Sequence, residues 1–144
     1  MLVQEINLTP CSKTGHGISQ GNKFVKKFSM KPDLFEAPDY YNIDELLTEE
    51  HKLIRNSVRE WVKKSVSPII EIYAQNAEFP KNLIKELAEI GAFGPTIPSE
   101  YGGSSLDEIA SGLIMQEIER GDSGIRSTAS VQSSLVMGAI LKYG

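Results

Sequence analysis

Apolar residues at Ile54, Val58, Trp61, Val62, Val66, Ile69, Ile70 and Tyr73 recur at spacings of three and four, with Pro68 inside the run. Only an α-helix puts that spacing on one face, and a helix with one apolar stripe has to bury it against a partner. Pro68 has no N–H for the Lys64 carbonyl, so the helix is expected to kink or break there. Thr48 is the expected N-cap, with Glu49 and Glu50 placed to complement the helix dipole.

Three more helices follow by the same reading. The second opens at Pro80, buries Leu83, Ile84, Leu87 and Ile90, and stops at Gly91. The connection A-F-G-P-T-I-P-S-E-Y-G-G comes next, with a short extended stretch expected near Thr96–Pro98. Its Tyr101-Gly102-Gly103 end reads as a turn with positive φ at a glycine rather than a phosphate loop. Ser105 and Glu108 form a capping-box pattern opening the third helix, whose stripe is Ile109, Ala110, Leu113, Ile114 and Ile118, ending at Gly121. The fourth starts near Asp122 or Ser123 and runs through Ile125, Ala129, Val136, Ala139 and Ile140. With no convincing strand, the expected class is all-α, a bundle of antiparallel helices. The last helix ends at Tyr143-Gly144 without a trailing loop, which predicts a chain cut from something longer.

The ends of the chain differ in character. Residues 1–29 hold four lysines and one acid, a net of +3, whereas the remainder carries −7. Composition reads the first 29 residues as an irregular, disordered tail. Met30 is the expected natural start, making that tail an upstream or non-native extension; a targeting leader is the alternative. Residues 30–144 are the domain, with Leu34, Phe35, Tyr40 and Tyr41 expected to anchor its lead-in. The acidic body argues against nucleic acid. A lone cysteine, Cys11, excludes an intrachain disulfide, and His16 and His51 lack ligand spacing for a metal. No apolar run is long enough to span a membrane.

The stretch E-I-E-R-G-D-S-G-I-R-S-T-A-S-V-Q-S-S, residues 117–134, carries the chemistry. It places Arg126 in the first turn of the fourth helix, beside a row of hydroxyls. A cation at the positive end of a helix dipole is locally unfavourable, so an anion is expected nearby. Arg126 and Ser130, four apart, share a helix face, where a guanidinium can pair bidentately with a carboxylate and a hydroxyl can add a third bond. Two readings stay open. Arg126 either pairs structurally with Glu119 or Asp122, or it binds a ligand. By default Asp122 is a helix cap, Glu119 a solvated charge and Ser130 a small packing residue.

The motifs I-G-A-F-G-P-T-I-P-S-E-Y-G-G and L-I-M-Q-E-I-E-R-G-D-S-G resemble the N-terminal helical domain of acyl-CoA dehydrogenases. The continuation G-I-R-S-T-A-S-V-Q-S-S-L-V-M is similar to the glutaryl-CoA dehydrogenase branch. The likeness runs from about residue 30 to 144. It implies a FAD flavoenzyme in which a glutamate base takes the α-proton of an acyl-CoA thioester and the β-hydride passes to the flavin. In the glutaryl branch CO2 is then lost to give crotonyl-CoA, a step of lysine and tryptophan degradation. By motif position Arg126 and Ser130 would hold the distal carboxylate of glutaryl-CoA, with Glu119 close by and Ser127 at the same pocket. The resemblance puts the base and most flavin contacts in domains beyond these residues, so no residue here is expected to be catalytic and the chain alone is expected to be inactive. It also implies electron transfer flavoprotein as electron acceptor and a homotetramer. The expected compartment is a bacterial cytoplasm, or a mitochondrial matrix if the tail is a leader. The competing readings are another acyl-CoA dehydrogenase and a stand-alone helical interaction module.

Overall fold

A computed structural model describes residues 37–144. The tail of residues 1–29, the start at Met30 and the anchors Leu34 and Phe35 lie outside the described residues. Helix α1 spans Glu49–Trp61 and begins at Thr48, whose hydroxyl accepts the His51 N–H at 3.2 Å. The His51 ring reaches back to complete the capping box: Nδ1 accepts the Thr48 N–H at 3.4 Å, leaving Nε2–H to donate to Asp107 at 2.9 Å. The absence of a donor at Pro68 has the expected effect. The helix widens into a π-turn over Val62–Val66, where the Ser67 N–H reaches the Val62 carbonyl. Helix α2, Ile70–Gln75, resumes beyond the proline.

After the opening turn at Pro80, helix α3 covers Leu83–Glu89 and ends at Gly91 with φ +75°. Helix α4 spans Glu108–Gly121, and α5 spans Ser123–Ser130. A π-turn over Val131–Met137 carries α5 into α6, Gly138–Tyr143. No proline explains this second widening. Instead, the Ser133 and Ser134 hydroxyls donate back to the carbonyls of Ala129 and Ser130, competing with the helix's own ladder. Ser133 also accepts the Gly94 N–H at 3.1 Å, which fastens this widened turn to the A-F-G-P connection.

Helix α1 packs on α4, and α4 on α5. The core between them is Val58, Val62, Val66, Leu83, Leu87, Ile114, Ile118, Ile125 and Ala129. Gly121 permits the close approach at the α4–α5 corner, since a Cβ there would stand 2.6 Å from a Val62 methyl. The all-α expectation holds, and no strand occurs among the described residues, including Thr96–Pro98.

Several local expectations fail for identifiable reasons. The N-cap of α4 is Asp107, which accepts the Ala110 N–H at 2.8 Å. Ser105 adopts φ +52° and its hydroxyl is used by the Ser99 N–H, so it cannot form the capping box with Glu108. Ile84, Ile109, Val136 and Ile140 are exposed rather than buried. So are Tyr40 and Tyr41, which do not anchor the lead-in. The apolar stripe of the last helix outruns the partners present to cover it.

Candidate functional site

The site sits at the corner where α4 hands over to α5. Asp122 breaks the helix with an extended backbone and caps α5 by accepting the Ile125 N–H at 2.8 Å. The anion expected at this helix start is therefore supplied from within the chain. Arg126 is free of that duty and turns its side chain towards the end of α4. Its Nε donates to Glu119 at 2.7 Å and its Nη1 to the Ser130 hydroxyl at 3.3 Å. Ser123 donates a further bond to Glu119 at 2.6 Å. The Arg126 guanidinium first, and the Ser123 hydroxyl second, hold the Glu119 carboxyl below the usual carboxylate range.

Arg126 is 35% exposed and Glu119 45% exposed, so the pair is open to solvent on one side. Of the residues singled out from sequence, Glu119, Arg126 and Ser130 are thus within one hydrogen-bonded group. Ser127 touches it through its carbonyl, which accepts from Ser130 at 3.3 Å. Its side chain lines a neighbouring cavity of about 670 Å³, together with Ile84, Phe93, Thr128, Val131 and Gln132. That cavity is mostly apolar and adjoins the charged corner along α5.

One buried charge escaped the sequence reading. Glu117 is fully buried, accepts two bonds of 2.9 Å from Arg59, and lies 3.5 Å from Arg120. Its signal was available: Glu117 is seven residues from Ala110 and three from Ile114, on the buried stripe, whereas Glu119 is not. It fastens α1 to α4 and orients the end of α4 on which Glu119 stands.

The comparisons with known proteins bear on this corner. Residues 48–144 match the family described as acyl-CoA dehydrogenase, N-terminal domain. The chain belongs to that family. A structure of a glutaryl-CoA dehydrogenase from Mycobacterium smegmatis in complex with FADH2 superposes with a TM-score of 0.69 at 36% identity, covering 72% of this chain and 27% of that one. A second glutaryl-CoA dehydrogenase structure from Mycobacterium smegmatis gives 0.67 at 40% identity, covering 71% and 26%. By sequence, the mitochondrial short-chain specific acyl-CoA dehydrogenase of Bos taurus is 34% identical over 98 residues, 68% of this chain and 24% of its own length. The 3-(aryl)acrylate reductase of Clostridium sporogenes is 42% identical over 73 residues, 51% of this chain and 19% of its own. The chain therefore spans about a quarter of the length of the relatives it matches, or less.

Within the acyl-CoA dehydrogenase domain, the Gly102-Gly103 turn offers no free amide to a flavin diphosphate, since the Gly102 and Gly103 N–H groups donate to the Ser99 and Pro98 carbonyls. Gly102 takes φ +81°, and a Cβ at Gly103 would stand 2.0 Å from the Ile97 carbonyl oxygen. Gly103 serves close backbone contact within the loop, and Gly102 supplies the positive φ. No described helix is long and apolar enough to cross a membrane.

Proposed function

We propose that this chain is the N-terminal domain of a FAD-dependent acyl-CoA dehydrogenase acting on glutaryl-CoA, with Arg126 and Ser130 as the receptor for its distal carboxylate. The observation that carries this reading is the state of Arg126. Its guanidinium is accessible and held between a carboxylate and a hydroxyl, at 2.7 and 3.3 Å, beside an apolar cavity. Glu119 acts as the stand-in anion when substrate is absent. An incoming carboxylate takes a share of the fork, and Ser130 supplies a further donor. Ser127 lines the apolar approach. An enzyme for plain acyl chains has no use for such a cation, and the likeness to two glutaryl-CoA dehydrogenases supports the dicarboxylic substrate.

In this reading the flavin, the glutamate base and the contacts with electron transfer flavoprotein and between subunits of a homotetramer lie largely in regions these 144 residues do not span. The isolated chain then shows no flavin-dependent turnover. The likeness to a short-chain acyl-CoA dehydrogenase and to an arylacrylate reductase keeps a second reading in play, a different substrate on the same fold. Arg126→Ala in the complete enzyme separates the two. The proposal expects turnover of glutaryl-CoA to fall at least a hundredfold while that of a monocarboxylic acyl-CoA of the same length is retained. An equal effect on both substrates refutes the assignment of Arg126.

A further inference from the structure

The segment before α1 is held to the body by charge rather than by apolar packing. Its 3-10 turn, Ile43–Leu46, buries no residue, and Tyr40, Tyr41, Ile43 and Leu46 are all exposed. Against this, Asp44 makes a two-pronged pair with Arg55 of α1, its two oxygens meeting Nη1 and Nη2, the latter at 3.0 Å. The turn is preset for this. Asp39 accepts the Asp44 N–H at 2.9 Å, and Asn42 starts the turn with φ +53°. The Arg55 guanidinium holds the Asp44 carboxyl below the usual carboxylate range.

Beneath the turn lies a cavity of about 710 Å³ whose polar lining is Asp39 and Asp44 from the lead-in segment and Arg55, Arg59, Arg120 and Gln116 from the helices. Arg55 is the residue of that lining committed to the strap. Its side chain is only 16% exposed, and its buried Nε meets no hydrogen-bond partner among the described residues. The buried Nε is out of reach of solvent, so the Nη1–Nη2 edge that Asp44 occupies is the part of the guanidinium a carboxylate or phosphate would meet.

We propose that residues 39–47 form a strap in which Asp44 occupies an anion site on Arg55, and that a small oxyanion of carboxylate or phosphate chemistry binds there when Asp44 is displaced. The chain carries its own competitor. With Asp44 in place the site is closed at low ligand, and removal of its charge opens it. Arg supplies the fork that a lysine cannot, so the site depends on the guanidinium and not merely on positive charge.

The test uses the 144-residue chain, with inorganic phosphate as the probe and chloride at matched ionic strength as the control. Two quantities are read: phosphate affinity by calorimetry, and hydrogen exchange at the Asp44, Glu45 and Leu47 amides. Asp44→Asn keeps the shape and removes the charge. It is expected to speed exchange at those amides at least tenfold and to bind phosphate at least tenfold more tightly than the wild type. Adding Arg55→Lys to Asp44→Asn is expected to abolish that gain while retaining the helical circular dichroism. Unchanged exchange in Asp44→Asn overturns the strap. Phosphate affinity equal in the wild type and Asp44→Asn, or surviving Arg55→Lys, overturns the site.

Discussion

Replacing Glu117 by glutamine is the most demanding test of how the domain is held together. The glutamate is fully buried, receives both prongs of Arg59 at 2.9 Å and has Arg120 at 3.5 Å. The amide keeps the volume but removes the charge, and its NH2 points a donor at a donor. Breaking one side of a buried ion pair costs about 3–5 kcal/mol, because the remaining charge is left desolvated. Arg59 and Arg120 are 22% and 24% exposed, so water can partly recover them and the lower end applies, about 3 kcal/mol. For a region of this size that corresponds to a fall in melting temperature of roughly 10–20 °C. Urea unfolding of the purified chain measures it directly. A joint Glu117→Leu, Arg59→Met replacement is expected to recover most of the loss, since it buries apolar groups in place of the pair. If Glu117→Gln unfolds within 1 kcal/mol of the wild type, taking ~1 kcal/mol as the scale of an ordinary substitution, the pair does not hold α1 to α4.

Two further outcomes follow from local geometry. Asp44 is held below the ordinary carboxylate range by Arg55, Glu86 by the Ser65 hydroxyl and Trp61 indole, and Asp107 by the Ala110 N–H and then by His51. The unfolded chain therefore binds more protons in acid, so stability from these groups is complete above about pH 4–4.5 and is lost as pH falls through the lower folded values. Asp107→Asn is expected to flatten the stability profile between about pH 5 and 3; an unchanged slope in that range removes Asp107 from the account. Ala77 is held at φ +53°, where a Cβ is strained. Ala77→Gly is expected to raise stability by about 0.5–1 kcal/mol in the same urea assay, and a loss of stability counts against strain at that turn.

The parts of the fold legible in the sequence were those fixed by local chemistry. Thr48 at a cap, Pro68 without a donor and Gly91 at a helix end act within a turn of their own position, and the structure places each as expected. What failed depended on partners outside the helix concerned. Ser105 has a capping residue's chemistry and spacing, but its hydroxyl is taken by the Ser99 N–H across a loop and Asp107 takes the role, fixed also by His51 from 56 residues away. Glu117 and Glu119 look alike in a row of letters. One faces Arg59 in the core, and the other faces Arg126 at the surface. The helical stripe puts Glu117 on the buried face and Glu119 off it, but only the packing of α4 against α1 and α5 names the partner of each.

That difference also separates structure from proposed chemistry at the corner. A buried, doubly forked carboxylate cannot yield its arginine to a ligand without the cost worked out above. Glu119, half in water and bonded to Arg126 through a single Nε contact, can do so at little cost. The same E-x-E-R-x-D-S-G run thus gives one glutamate that fixes the helix and one that leaves an arginine exchangeable. The arginine that can change partner is the one the proposed substrate carboxylate would take.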